Sequence, residues 1–211
     1  MSNKAPGGLF VVSAPSGGGK TSLTRGSIAE LSRAGIAAEI SVSYTTRAPR
    51  SGEQAGVHYH FTDVDTFKGM IARGELLEYA EIYGNFYGTG RARTAALQAQ
   101  GRDVILDIDW QGARQIKQVA RDAVGIFILP PSITKLEQRL RARKQDSDAE
   151  IARRMALARD EMSHYREYDY VIVNKEFAQA MAEFVAIFVA RRLLLSGQEL
   201  RHKTLIHKLL S

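Results

Sequence analysis

The stretch from Ser13 to Thr21, Ser-Ala-Pro-Ser-Gly-Gly-Gly-Lys-Thr, constrains the fold of this chain more than any other. The apolar run 9–12 before it is typical of a buried parallel strand, and the residues after it, 22–34, suit a helix. A strand, a glycine-rich turn, Gly-Lys-Thr and a helix together are typical of a phosphate-binding loop. In such a loop the backbone N–H groups and the helix N-terminus face phosphate oxygens. The sequence therefore predicts a site for a nucleoside triphosphate.

Individual residues of this loop have distinct predicted roles. Lys20 is placed to bridge the outer phosphates, and the Thr21 hydroxyl is placed to face a magnesium ion. Ala14 stands where the general pattern G-x-x-x-x-G-K-[ST] has its first glycine. Three consecutive glycines also occur in plain flexible loops, but the flanking strand and helix favour the phosphate-binding loop.

Composition excludes several classes of protein. The 211 residues, 45% of them hydrophobic and 25% charged, predict one globular unit with a substantial core. Because the sequence has no cysteine, disulfides and thiolate-bound metals are excluded. The first residues lack the apolar core of a signal peptide, and no apolar stretch reaches the ~18 residues of a membrane span. We therefore expect a cytoplasmic protein without a membrane partner.

The formal net charge of +6 has two interpretations. One is a nucleic-acid partner, and the other is a basic surface combined with the arginines that two phosphorylated ligands require. Several arginines lie in segments typical of nucleotide sites, which favours the second interpretation. We therefore do not expect nucleic acid as the partner.

Apolar runs and helical segments alternate along most of the chain. The alternation predicts an α/β fold, a parallel sheet flanked by helices as in phosphate-binding-loop NTPases, with ligands beyond the carboxyl ends of the strands. The predicted strands are 9–12, 40–42, 104–108, 124–129 and 170–173, and the predicted helices are 22–34, 110–121, 132–143, 149–164 and 176–196.

Two segments interrupt the alternation. Residues 45–90 are rich in Arg, Gly, Tyr and His, which predicts an inserted substrate-binding subdomain of short strands and turns with one helix near 64–73. Residues 139–154 are dense in charge and predict a mobile lid between two helices. The basic tail 198–211 is predicted either to form a C-terminal helix or to be poorly ordered. The predicted core is then made of 8–44, 91–138 and 155–197.

The insertion carries candidate ligands for a second, phosphorylated substrate. Arg47 and Arg50, held by a proline, can fork around a phosphate, although a pair of exposed arginines has the same spacing. Tyr59 and Tyr87 offer phenolic hydroxyls, as tyrosines at the edge of a core also do. Glu78 follows two leucines and is interpreted either as a ligand or as a solvent-facing carboxylate.

Two aspartates, Asp107 and Asp109, end an apolar predicted strand. The carboxyl edge of a parallel sheet is where ligands bind, and carboxylates there suit the hydration shell of magnesium. Capping of the next helix is the competing role for Asp109, and the two roles are compatible.

Taken in order, the motifs closely resemble bacterial guanylate kinase over residues 9 to about 184. The resemblance is carried by Ser-Ala-Pro-Ser-Gly-x-Gly-Lys at 13–20, Val-Ser-x-Thr-Thr-Arg-x-Pro-Arg at 42–50, Gly52-Glu53, Tyr59, Gly-Asn-x-Tyr-Gly-Thr at 84–89, Leu-Asp-Ile-Asp-Trp-Gln-Gly at 106–112, Leu-Pro-Pro-Ser at 129–132 and Tyr-Asp-Tyr-x-Ile-Val-Asn at 168–174. Each motif alone is weak, but the ordered set is highly specific.

The resemblance implies transfer of the γ-phosphoryl group of ATP to GMP, with Mg²⁺, on a fold with a GMP-binding insertion and a lid. It implies that Asn174 lies near adenine, while the loop pattern and the strand end assign Thr21 and Asp109 to the metal. The implied ATP-binding residues are Ser13, Ala14, Pro15, Ser16, Gly17, Gly18, Gly19, Lys20, Thr21, Ser22 and Asn174.

On the acceptor side, the resemblance implies that Ser43 and Glu78 read guanine, with Asp107 nearby and Thr89 beside the base. It implies that the GMP phosphate is held by Arg47, Arg50, Tyr59 and Tyr87. The implied catalytic residues are Lys20, Arg47 and three arginines that close over the triphosphate, Arg139, Arg143 and Arg154. Ala142-Arg143-Lys144 stands where Gly-Arg-Gly is common in the family.

Two other functions are alternatives at this point. One is a phosphate-binding-loop kinase with a different phosphate-ester acceptor. The other is a non-catalytic guanylate-kinase-like domain that binds phosphopeptides, but such domains have degraded loops whereas Gly19-Lys20-Thr21 is intact here. The sequence leaves the oligomeric state open, a homo-oligomer included.

Overall fold

A five-stranded parallel sheet forms the centre of the fold. The computed structural model describes residues 5–82, 84–142 and 147–211. The strand order is β2-β7-β1-β8-β9, and every neighbouring pair is parallel. The strands are β1 (Leu9–Ser13), β2 (Ala38–Ile40), β7 (Asp103–Asp107), β8 (Val124–Leu129) and β9 (Tyr170–Val173). The α/β fold with a parallel sheet is therefore confirmed.

Helices cover both faces of this sheet because its strands are apolar on both sides. In β1, Phe10 and Val12 point to one face, and Leu9 and Val11 point to the other. The first face is packed by α1 (Lys20–Arg33) and α7 (Phe177–Arg192), and the second by α3 (Arg91–Ala99) and α4 (Trp110–Val119). The rings of Phe10 and Phe188 stack at 3.7 Å, and loss of either ring costs ~3–5 kcal/mol.

A second, smaller sheet lies within the predicted insertion and has the order β4-β3-β6-β5. Its strands are β3 (Tyr44–Thr45), β4 (His60–Phe61), β5 (Leu76–Ile82) and β6 (Asn85–Gly90). The predicted helix near 64–73 is α2 (Val64–Ala72), which begins where the Asp63 side chain accepts from the Thr66 N–H and packs Phe67 and Met70 on this sheet.

The remaining helices follow β8. They are α5 (Ile133–Ala142), α6 (Asp148–Ser163), a 3-10 helix (His164–Glu167), α8 (Leu195–Arg201) and α9 (Lys203–Leu210). The predicted lid, 139–154, comprises the end of α5 and the first turns of α6, and 143–146 lie outside the described residues. Ser147 caps α6 by accepting from the Glu150 N–H at 3.3 Å. Helices α8 and α9 account for the tail. None of the helices in the described ranges is long and apolar enough to cross a membrane.

Several element boundaries differ from the prediction, and one helix was not predicted. The helix expected at 22–34 begins at Lys20 because Gly19, with φ +97°, turns the loop directly into it. The strand expected at 40–42 ends at Ile40, after which only the Ser41 N–H still bonds to the neighbouring strand, at Ile105 O. Helix α3 had no prediction, because only Thr94 and Leu97 of its nine residues are buried and its apolar pattern is weak.

Candidate active site

A cleft of about 560 Å³ lies between the carboxyl end of the parallel sheet, the second sheet and α6. It brings together predicted residues from both substrate sites, namely Ala14, Pro15, Ser16, Gly17, Gly18, Gly19, Lys20, Thr21, Ser43, Arg50, Tyr59, Glu78, Tyr87, Asp107, Asp109 and Arg154. Residues far apart in sequence therefore share one cavity, as a transfer between two ligands requires.

The glycine-rich loop has a backbone shape that favours glycine at positions 17 and 19. Gly17 and Gly19 have φ of +87° and +97°, and the Gly18 N–H closes a turn on Pro15 O at 2.8 Å. Ala14 packs against the main hydrophobic core, so its methyl group has an apolar environment in place of the usual glycine. The loop geometry agrees with the predicted phosphate site.

Two predicted residues, Asn174 and Arg139, lie behind the loop and do not line the cleft. Asn174 is 3% exposed, and its amide donates to Gly18 O at 3.0 Å. The Arg139 guanidinium donates to Asn174 O at 2.9 Å and to Gly18 O at 3.4 Å. A Cβ at Gly19 would overlap with the Asn174 amide nitrogen, so the loop and its support fit only when position 19 is glycine.

Lys20 projects from the first turn of α1 to the end of β7. Its ammonium lies 2.7 Å from Asp107 Oδ1 and donates to Ile108 O at 2.9 Å. Burial lowers the pKa of Lys20, but the nearby Asp107 carboxylate outweighs this effect and holds the pKa above its usual value. Lys20 is therefore a fixed positive charge at neutral pH.

The candidate metal ligands, Thr21 and Asp109, both line the cleft. Asp109 caps α4, where its carboxylate accepts from the Gly112 N–H at 2.9 Å and from Gln111 Nε2 at 3.1 Å. The capping role is therefore confirmed, and an ionised carboxylate keeps further lone pairs for a cation. No group of three or more His, Cys, Asp or Glu side chains that could hold a metal occurs among the described residues. One hydroxyl and a carboxylate suit Mg²⁺ that arrives with phosphates and water.

Ser13 and Ser22, the outer residues of the predicted ATP site, do not line the cleft. Ser13 is 1% exposed, and its hydroxyl donates to Ile108 O at 2.8 Å, joining β1 to the end of β7. Ser22 is exposed on α1. Both therefore flank the loop without facing the cleft.

The acceptor side contains a preformed arginine–carboxylate pair. Arg47 Nη2 donates to both Glu53 oxygens, at 2.8 and 3.0 Å, and the Arg50 N–H donates to Glu53 Oε2 at 2.7 Å. Only Arg50 of the two predicted arginines lines the cleft. The Arg47 guanidinium lies 5.4 Å from the centre of the Tyr59 ring, and Tyr59 contacts the edge of Tyr87 at 6.0 Å. Burial raises the pKa of Tyr59, which keeps its hydroxyl a donor.

Glu78 is a buried carboxylate in the wall of the cleft, with 3% of its surface exposed. The interpretation of Glu78 as solvent-facing is therefore wrong, because Leu76, Glu78 and Ala80 alternate inward along β5. Thr89 lies directly opposite on β6, and its hydroxyl donates to Glu78 Oε1 at 2.6 Å. Burial raises the pKa of Glu78 from 4.5 to about 7, against the Thr89 hydrogen bond, which lowers it. Thr89 does not itself line the cleft.

Helix α6 lines the cleft beside the glycine-rich loop. Arg154 pairs with Glu150 at 3.3 Å and is 13% exposed, whereas the predicted Arg143 lies outside the described residues. From the same helix, Glu161 accepts from the Ser16 N–H at 3.0 Å, and burial raises the pKa of Glu161.

The comparisons with known proteins agree with this geometry. The guanylate kinase family profile matches residues 7–191. The chain belongs to the guanylate kinase family. A guanylate kinase from Alkalilimnicola ehrlichii is 53% identical over 92% of this chain and 94% of its own, and one from Salmonella choleraesuis is 52% identical over 98% and 99%. The crystal structure of guanylate kinase from Anaplasma phagocytophilum superposes with a TM-score of 0.75 at 34% identity, covering 91% of this chain and 89% of that chain.

Several cleft residues of this guanylate kinase family member had no prediction. They are Ala80, Glu81, Ile82, Gly88, Ile108, Trp110, Gln111, Arg153, Leu157, Asp160 and Glu161. Trp110 could have been noticed as the single tryptophan directly after Asp109. Its ring stacks on His164 at 3.7 Å, and the Arg114 guanidinium lies 4.6 Å from the centre of the ring. Glu161 has no comparable sequence signal, because it is one acid among many on a charged helix.

Proposed function

We propose that this protein transfers the γ-phosphoryl group of ATP to GMP, giving ADP and GDP. The observation that carries the proposal is a single cleft with an intact phosphate-binding loop at one end and the buried Glu78–Thr89 pair at the other. Membership of the guanylate kinase family supports the same reaction. Since ATP and GMP are cytoplasmic metabolites, we place the reaction in the cytoplasm.

The donor site is the loop at 13–22. The backbone N–H groups of the loop and the N-terminus of α1 bind the phosphates of ATP, and Lys20 exchanges Asp107 for the outer phosphates. Thr21 and Asp109 are the residues that would hold Mg²⁺, which neutralises phosphate charge when bound. Asn174 and Arg139 bond to the loop backbone on the side away from the cleft. They therefore affect ATP binding only by fixing the position of the loop.

The acceptor phosphate lies near Arg50, Tyr59 and Tyr87, with Arg47 behind them. A phosphate oxygen is the attacking atom, and the second pKa of a phosphate monoester is about 6, so it is already ionised at neutral pH. A dedicated general base is therefore unnecessary. The arginines offset the repulsion between the two anionic substrates, which is the main barrier to their approach.

Specificity for guanine comes from Glu78 and Ser43. The ionised Glu78 accepts from the adjacent N–H donors of guanine, while Thr89 fixes its other oxygen. Adenine lacks that pair of donors and would leave a buried carboxylate unpaired. A site of this kind rejects the wrong base by ~10⁴ or more.

Closure of α6 and the lid completes the site. Arg154, which lines the cleft, neutralises charge on the moving phosphoryl group, and closure excludes water as a competing acceptor.

A coupled assay of ADP release tests the proposal. With ATP, Mg²⁺ and an acceptor panel of GMP, AMP, IMP and ribose phosphates, we expect turnover with GMP far above all others. Turnover with another phosphate ester but not GMP would assign a different kinase. No turnover with any acceptor would favour the phosphopeptide-binding alternative.

A further inference from the structure

Helix α4 contacts the second sheet at β5, the strand that carries Glu78. The side chain of Gln115 forms two hydrogen bonds with the backbone of Tyr79, the next residue along β5. Its Nε2 donates to Tyr79 O at 2.7 Å, and its Oε1 accepts from the Tyr79 N–H at 3.1 Å. Since β5 is one of the two edge strands of the second sheet, the Gln115 amide pairs with its backbone as another strand would.

Gly112 lies one turn before Gln115, on the same face of α4. It is buried, and a Cβ at this position would overlap with Glu78 Oε2 and lie 3.1 Å from Glu78 Cδ. Gly112 is not among the glycines with positive φ, so its backbone conformation does not require glycine. A glycine inside a helix costs ~1 kcal/mol relative to alanine, and the space occupied by the carboxylate explains its presence.

The two contacts fix Glu78 in complementary ways. Gln115 sets the position of the β5 backbone, and Gly112 allows the backbone of α4 to lie against one carboxylate oxygen. Thr89 already holds the other oxygen at 2.6 Å. The carboxylate is thereby confined between β6 and α4, and its remaining lone pairs face the cleft.

We propose that Gly112 and Gln115 are positioning residues that set the guanine selectivity of Glu78. The inference rests on the proposed function, because it takes Glu78 as the reader of the base. It adds that α4 joins the two halves of the site. Its first residues cap on Asp109 at the end of the parallel sheet, and its next turn aligns the acceptor wall.

The test compares Gln115→Ala and Gly112→Ala with a matched control, Gln118→Ala. Gln118 lies on the same helix three residues beyond Gln115, but it is exposed and outside the cleft. We expect KM for GMP to rise about tenfold in the first two variants, with KM for ATP close to wild type and Tm lower by no more than a few degrees. The control should match wild type in all three quantities.

A rescue variant separates positioning from general packing. Shortening the carboxylate with Glu78→Asp draws it away from a methyl group at position 112. Gly112→Ala should therefore raise KM for GMP less in the Glu78→Asp background than in the wild type, which a double-mutant cycle measures. If Gly112→Ala does not fold, Gln115→Ala decides the matter alone.

Two results would overturn the inference. One is an unchanged KM for GMP in Gln115→Ala, and the other is an equal rise in both KM values together with a lowered Tm. Failure of the proposed function looks different, because the wild-type protein itself would then release no ADP with GMP.

Discussion

Replacing Glu78 by glutamine should make the protein more stable and a poorer enzyme, and the stability gain should depend on pH. Burial raises the pKa of Glu78 from 4.5 to about 7. Between these two pH values the folded state holds a proton that the unfolded state has released. Stability from this group is therefore complete below pH 4.5, falls as the pH rises through this window, and stays low above about pH 7.

The magnitude follows from the two pKa values. A rise from 4.5 to about 7 corresponds to about 3 kcal/mol of lost stability once both states are ionised. At pH 5 the loss is only about 1 kcal/mol, because the folded group is still protonated. Glutamine resembles the protonated side chain at every pH. Since each kcal/mol shifts Tm by roughly 2–4 °C at this chain length, the advantage of Glu78→Gln should grow by roughly 4–8 °C between pH 5 and pH 8.

Thermal unfolding of the two proteins at pH 5, 6, 7 and 8 measures this difference. Glu183→Gln is the matched control, because Glu183 is exposed on α7, far from the cleft. Its unfolding curves should run parallel to those of wild type. An advantage of Glu78→Gln that is the same at pH 5 and pH 8 would show that burial does not destabilise the Glu78 carboxylate.

The activity should depend on the same titration of Glu78, but it should rise with pH where the stability falls. Only the ionised Glu78 accepts from guanine, so kcat/KM for GMP should fall about tenfold per pH unit below about pH 7. In Glu78→Gln the part of this dependence above the second phosphate pKa of about 6 should vanish, and KM for GMP should be high at every pH. An unchanged KM for GMP in this variant would remove Glu78 from base recognition. The ionised Glu78 carboxylate thus lowers the free energy of unfolding, but it is the charged form that the substrate needs.

Three further predictions concern the donor site. Lys20→Ala should lose nearly all ADP release in the coupled assay, because its role is charge stabilisation in the transition state; substantial turnover would refute that role. Glu161→Ala leaves the Ser16 N–H without its acceptor and should raise KM for ATP several-fold, whereas Glu161→Gln, which keeps an oxygen, should retain most of the affinity. Gly19→Ala places a methyl group on the Asn174 amide at positive φ, so a Tm lower by several degrees is expected by calorimetry, and an unchanged Tm would contradict the fit.

Local sequence patterns predicted the parts of the fold that depend on local chemistry. Phe10 and Val12 alternate with Leu9 and Val11, and the strand ends at a glycine-rich turn, so both the sheet and the loop could be predicted. The strands at 124–129 and 170–173 are confirmed residue for residue. Helix α3 was missed because two buried side chains make too short a pattern.

The side chains that hold the glycine-rich loop in place could not be predicted, because their contacts are distant in sequence. Asn174 bonds to Gly18 and Glu161 to Ser16, each through one side chain and one backbone group more than 140 residues away in sequence. Such pairs leave no periodicity in the sequence. Motif matching therefore identified Asn174 as a residue of the site without revealing that it contacts the loop and not the cleft.

Three cations in the cleft or directly beside it share one electrostatic arrangement. Lys20 pairs with Asp107, Arg47 with Glu53 and Arg154 with Glu150. Because each of these cations already has a carboxylate partner, phosphate binding is an exchange of one anion for another and requires little new desolvation of the cation. The carboxylates also keep each cation oriented in the absence of substrate, and they carry a single charge where a phosphate carries more. The exchange therefore favours the substrate while the empty cleft stays folded, which is the balance that a site for two polyanions needs.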